Sequence, residues 1–184
     1  MIENQYRDPT AEAAEATIER AERGRANRES GKLFEQMIEA ACVFYEQKVI
    51  AKIDKTPEPM RIIKSVGGGR FEACFTKRAQ PDFKGVLNDG REVCFEAKHT
   101  TALSIAQSVV NDRQGMELDT HYSMKAFCFV VVGLGNGGCY RVPWDVWRNM
   151  YGIYGHKHMT DDDLEEYRLQ NEMGKVMFLG DIGK

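Results

Sequence analysis

The chain has 184 residues, of which 42% are hydrophobic and 29% charged, enough for one domain with a real core and too apolar for wholesale disorder. The formal net charge of −3 excludes a globally basic coat of the kind that announces nucleic acid. No stretch approaches the ~18 consecutive apolar residues of a membrane span, and the acidic, helix-forming N-terminus lacks the apolar segment of a secretory signal.

In chain order, Thr10 to Ala26 is rich in Ala, Glu and Arg and predicts a polar helix. Ser30-Gly31 is expected to break it. A second helix follows from Lys32 to Gln47, where Leu33, Phe34, Met37, Ile38, Ala41 and Phe44 or Tyr45 recur at helical spacing. Val49 to Ile53 predicts a short strand. Thr56-Pro57-Glu58-Pro59 is extended, because proline disfavours helix in the residue before it. Met60 to Val66 and Arg70 to Thr76 predict two strands joined at Gly67-Gly68-Gly69, a hairpin with a glycine tip. No phosphate-cradling GxGxxG or GxxxxGK pattern accompanies those glycines.

Phe83 to Leu87 and Glu92 to Ala97 flank Asn88-Asp89-Gly90, a strong hairpin signal. Ser104 to Leu118 is predicted helical. Ala126 to Val132 is a continuous apolar run, as for a strand buried on both faces. Cys139 to Val142 predicts another strand and Trp144 to Met150 a short helix. The remaining stretch, with an Asp-rich helix and a closing Met-Phe-Leu-Gly run, is the least informative. This order points to one α/β domain. It is expected to comprise an N-terminal helical, basic arm over 1–30, a core over 31–150 and an acidic helical tail over 151–184.

Charge is segregated along the chain. Arg20, Arg23, Arg25, Arg28 and Lys32 make one basic run; Arg61, Lys64, Arg70, Lys77 and Arg78 make another, on the glycine-tipped hairpin. One basic face suffices to bind DNA even when the whole protein is acidic. The five cysteines are odd in number, lack a CxxC pattern and mostly sit in apolar runs, as expected of reduced, buried thiols in a cytoplasmic protein.

The segment from Pro81 to Thr100 carries the chemistry. Asp82 precedes one hairpin arm; Glu96 and Lys98 lie on the other. Side chains two apart in a strand share a face, so Glu96 and Lys98 point together while Ala97, Phe95 and Val93 point to the core. Folding at Asn-Asp-Gly brings Asp82 to the pair. Two converging carboxylates repel, and Mg²⁺ relieves that repulsion with hard oxygen ligands. Beside it, a lysine adds positive charge where a phosphodiester becomes a phosphorane, and can orient or deprotonate the attacking water.

This Pro81-Asp82 … Glu96-Ala97-Lys98 pattern resembles the PD-(D/E)xK nuclease superfamily. More closely, the chain resembles the RecU family of Holliday-junction resolvases. Gly31 to Glu35, Lys55 to Ile63, Phe71 to Phe75, Asp82 to Val86, Cys94 to Thr100 and Arg113 to Leu118 carry that resemblance, in the family's order. It implies a restriction-endonuclease-like fold: a mixed central sheet flanked by helices, with a projecting basic β-hairpin, the stalk, at about 62–80.

The resemblance further implies Mg²⁺-dependent nicking of four-way DNA junctions by a homodimer, with Mn²⁺ able to substitute and room for a recombinase partner. It assigns Asp82, Glu96, the Ala97 carbonyl and Glu35 to the metal, and Lys98 and Gln114 to catalysis. Arg25, Arg28, Lys64, Arg70, Lys77, Arg78 and Thr100 would contact DNA. The alternatives at this stage are a nuclease of the same superfamily with a restriction or repair target, and a non-catalytic DNA-binding protein.

Overall fold

The computed structural model describes residues 9–57, 60–75 and 80–180. Its first element is a single helix, α1 (Pro9–Gln47), rather than the two expected. Gly24 and Gly31 each cost only about 1 kcal/mol relative to alanine in a helix interior, too little to break 39 otherwise helix-compatible residues. Tertiary ties also cross the expected break. Thr101 donates to Asn27 at 2.7 Å on its N-terminal side, and Lys55 clamps Glu35 and Glu39 on its C-terminal side at 2.6 and 3.1 Å. The expected boundary at residue 30 therefore falls inside a continuous helix.

The central sheet has the order β1-β4-β5-β7-β8, built from β1 (Ala51–Lys55), β4 (Phe83–Leu87), β5 (Glu92–His99), β7 (Phe127–Gly133) and β8 (Cys139–Pro143). All neighbours are antiparallel except β5 and β7, which makes the sheet mixed. A parallel pair needs a long crossover. Here the crossover contains β6 (Ser104–Ala106), a single 3-10 turn and α2 (Asp112–Ser123). This corrects the helix expected over Ser104 to Leu118. Ile105 is instead buried in a two-stranded pairing with Met159 of β9 (His158–Thr160), and α2 starts only where Asn111 caps it.

α1 covers one face of the sheet. Phe34, Ile38, Ala41 and Tyr45 of α1 pack on Ile53, Phe83, Phe95 and Phe129. Phe83, Phe95 and Phe129 are register neighbours across three strands, and their rings stack at 4.9 and 4.7 Å. The C-terminal segment closes this core: Val176, Phe178 and Leu179 are buried in it, and the Leu179 amide donates to the Tyr45 hydroxyl at 3.0 Å. The stretch expected to be an acidic helical tail is thus largely non-helical. Beyond α3 (Trp144–Arg148) and α4 (Met150–Tyr154) it holds α5 (Asp161–Leu164) and the small strands β9, β10 (Asn171–Glu172) and β11 (Lys175–Val176).

α2 and α3 cover the opposite face over Cys94, Cys128, Val130 and Val132. β7 is buried on both faces, as its apolar run requires. A separate ribbon, β2 (Met60–Gly67) with β3 (Arg70–Phe75), turns at Gly67-Gly68-Gly69, all three with positive φ. β2 is exposed along its whole length. Among the described residues, no helix is long and apolar enough to cross a membrane.

Candidate active site

The β4–β5 hairpin assembles the site. Asp82 stands one residue before β4, its backbone held by Thr56, whose amide donates to the Asp82 carbonyl at 2.8 Å. Phe83 pairs with Phe95, so Asp82 lies level with Glu96. Phe95 and Ala97 point into the α1 core, while Cys94, Glu96 and Lys98 point to the α2 face. Period-two alternation thus separates the packing residues from the polar ones.

Lys98 Nζ donates to Glu96 Oε2 at 2.7 Å and to Asp82 Oδ2 at 3.3 Å. The Ala97 amide donates to Asp82 Oδ2 at 3.0 Å. In a strand, a residue's N–H and C=O project to the same edge, so the Ala97 carbonyl faces the side from which Asp82 approaches. The cluster is graded in exposure: the Glu96 side chain is fully buried, Lys98 is 17% exposed and Asp82 34%. It therefore opens to solvent on the Asp82 side.

The electrostatics follow. Burial pushes the Glu96 carboxyl up to about 8, helped by the charge of Asp82 and opposed by Lys98. Burial alone would favour neutral Lys98, yet the two carboxylates outweigh it and hold its pKa above the usual lysine value. Lys98 is thus a fixed cation. A lysine held protonated can donate to developing negative charge and has no free lone pair with which to take a proton.

Glu96 has one oxygen used and one not. Oε2 accepts from Lys98 and, at 2.5 Å, from Gln114 Nε2 on α2. Oε1 is buried with no hydrogen-bond partner among the described residues. A buried carboxyl oxygen left unpaired in a dry site is costly. With the Asp82 carboxylate and the Ala97 carbonyl beside it, this orphan completes a set of hard oxygen donors that suits a small divalent cation. Among the described residues no cluster of three or more His, Cys, Asp and Glu side chains forms a metal cage. The set here is two carboxylates and a backbone carbonyl, which fits a cation that keeps several of its waters.

The remaining expected site residues distribute as follows. Gln114 joins the cluster. Thr100 follows β5, with its hydroxyl accepting from the Ala102 amide at 3.1 Å. Glu35 is not in hydrogen-bonding contact with the cluster; its carboxylate accepts from Lys55. Arg25 and Arg28 are exposed on α1, and Lys64 and Arg70 on the ribbon. Lys77 and Arg78 lie outside the described residues. Sequence reasoning missed Asn111 and Lys55. The Asn-x-x-Gln spacing of a capping box was a usable signal for the first. The second, a lone lysine at a strand end, had none.

The family model described as RecU, Recombination protein U, matches residues 29–180. The Holliday junction resolvase RecU of Streptococcus pneumoniae (strain Taiwan19F-14) is 29% identical over 157 residues, spanning 81% of this chain and 78% of that protein. Its counterpart from strain CGSP14 matches at the same identity and coverage. Among solved structures, Archaeoglobus fulgidus Hjc, a Holliday junction resolvase from an archaeal hyperthermophile, aligns with a TM-score of 0.45 at 14% identity, covering 73% of this chain and 91% of that one.

Proposed function

The chain belongs to the RecU family, and from that premise we propose that it is an endonuclease that resolves four-way DNA junctions by paired, symmetry-related nicks. The observation that carries the chemistry is the single lysine bridging two convergent carboxylates, one of which keeps a buried, unpartnered oxygen.

Asp82, Glu96 and the Ala97 carbonyl would hold Mg²⁺, and Mn²⁺ could replace it. Glu35, which the family resemblance also assigns to the metal, is held by Lys55 in this structure and would act at most as an outer carboxylate of the site. When bound, the divalent cation supplies Lewis-acid polarisation of the phosphodiester and lowers the pKa of a water nucleophile. Lys98 stays protonated and places its ammonium against the charge that builds on the phosphoryl oxygens. Gln114 and Lys98 keep Glu96 Oε2 occupied, which leaves Oε1 as the oxygen that would face the cation. The open side at Asp82 admits the scissile strand, and the Thr100 hydroxyl lines its approach.

The β2–β3 ribbon is the stalk that enters the junction. Lys64 and Arg70 contact phosphates there, Arg25 and Arg28 extend the contact along α1, and Lys77 and Arg78 add to the basic charge of the same stretch of sequence. Met60, Ile62, Ile63, Val66 and Phe71 are all more than half exposed on this ribbon. A two-stranded ribbon with that much bare apolar surface is marginal alone. This supports a homodimer in which two ribbons share their apolar faces, matching the two-fold symmetry of a junction. Five unpaired thiols support a reducing, cytoplasmic setting.

The test offers a four-way junction, a flap and a linear duplex of matched sequence with Mg²⁺. Resolution of the junction into two nicked duplexes, with the others spared, is the expected result. Equal cleavage of linear duplex would instead indicate a nuclease with another DNA target.

A further inference from the structure

We propose that Asn111, which carries no catalytic group of its own, is a positioning residue that sets which way round the Gln114 amide faces Glu96. The proposal deepens the nuclease reading above and rests on it.

Asn111 is the N-cap of α2, and its Oδ1 accepts from the Arg113 and Gln114 amides, both at 3.1 Å. Backbone amides only donate, so the oxygen of the Asn111 side chain must face them, and its Nδ2 must face away. That Nδ2 donates to Gln114 Oε1 at 2.8 Å, and the Asn111 backbone amide donates to the same oxygen at 3.2 Å. With its oxygen held by two donors, the Gln114 amide presents Nε2 to Glu96 Oε2. An amide turned the other way would set oxygen against carboxylate oxygen, and Nδ2 of Asn111 against an NH₂ group. The capping box thus transmits the fixed polarity of a helix terminus to a buried carboxylate.

Asp is the sharpest substitution. Asn111→Asp keeps the cap acceptor at a helix N-terminus, where a carboxylate is favourable, so the fold should hold. It replaces the donor facing Gln114 Oε1 by an acceptor. Asn111→Ser keeps a cap oxygen, adds no charge, and also removes Nδ2.

The experiment measures single-turnover cleavage of a saturating four-way junction with Mg²⁺, for the wild type, both Asn111 variants, Gln114→Ala, and Asn111→Asp combined with Gln114→Ala. In parallel, side-chain amide spectra of the ¹⁵N-labelled, metal-free proteins follow the Gln114 NH₂ pair, identified by its absence in Gln114→Ala. We expect Asn111→Asp to slow cleavage about 10- to 100-fold with junction affinity unchanged. We expect no additional loss when Gln114 is already alanine. The Gln114 NH₂ protons should be protected from exchange in the wild type, lose protection in Asn111→Ser, and change chemical shift in Asn111→Asp, where the amide turns its NH₂ to the new carboxylate. A loss of the same size in the Gln114→Ala background, or Gln114 amide signals indifferent to Asn111, overturns the proposal. If the wild type cleaves no DNA, the nuclease reading fails, and the amide spectra still decide the role of Asn111.

Discussion

Replacing Glu96 by glutamine should make the metal-free protein more tolerant of high pH. Glu96 is fully buried and its carboxyl is pushed up to about 8, by burial first and the Asp82 charge second. In the unfolded chain it titrates at the ordinary carboxylate value of about 4.5. Between those values the native state holds a proton that the unfolded state has lost. Stability therefore falls as pH rises towards the folded pKa, at up to about 1.4 kcal/mol per pH unit. From pH 6.5 to 8 the loss is about 2 kcal/mol. At roughly 2–4 °C per kcal/mol for a chain of this length, it lowers Tm by about 4–8 °C. Glutamine has the same shape and no charge to bury, so Glu96→Gln should escape this loss. The assay is thermal unfolding in EDTA at pH 6.5 and 8.5 for both proteins; other titrating groups are common to both and cancel in the difference. Mg²⁺ should raise the wild-type Tm more at pH 8.5, where no proton competes for Glu96. Parallel pH dependence in the two proteins would refute the reasoning.

Gly31→Ala should raise stability by about 0.5–1 kcal/mol in urea unfolding, since a Cβ there meets nothing within 4 Å; a destabilised variant would contradict the continuous helix. Gly85→Ala should cost at least ~3 kcal/mol in the same measurement, because a Cβ would stand 2.0 Å from the Lys52 carbonyl oxygen; wild-type stability would contradict the β1–β4 packing. Junction affinity should fall steeply with salt, and Lys64→Ala with Arg70→Ala should reduce the log–log slope by roughly 1–2 in binding titrations. An unchanged slope would remove the ribbon from the DNA interface.

The hairpin that builds the site was legible because its information is local. Asn-Asp-Gly names the turn, and alternation from Val93 to Lys98 sorts core from polar residues, so β4 runs from Phe83 to Leu87 as expected and the Asp82, Glu96 and Lys98 side chains converge. What failed depends on partners far along the chain. The pairing of Ile105 with Met159 turns an expected helix into a strand. The insertion of Phe178 beside Phe95 and Phe129 gives the C-terminal segment a role in the core that no periodicity announces. Gly31 was weighed as a helix breaker when its cost is small beside the ties from Thr101 and Lys55 that span it.

The proposed chemistry has Asp82 and Glu96 act together on one divalent cation beside a protonated Lys98. Its most direct test is Mg²⁺-dependent cleavage of a synthetic four-way junction by the wild type and by Asp82→Asn, at protein concentrations that bind the junction equally. The wild type should make two symmetrically placed nicks, and Asp82→Asn should lose at least ~10³-fold in rate with binding retained. Cleavage by Asp82→Asn at the wild-type rate, or wild-type cleavage that persists in EDTA, would contradict it.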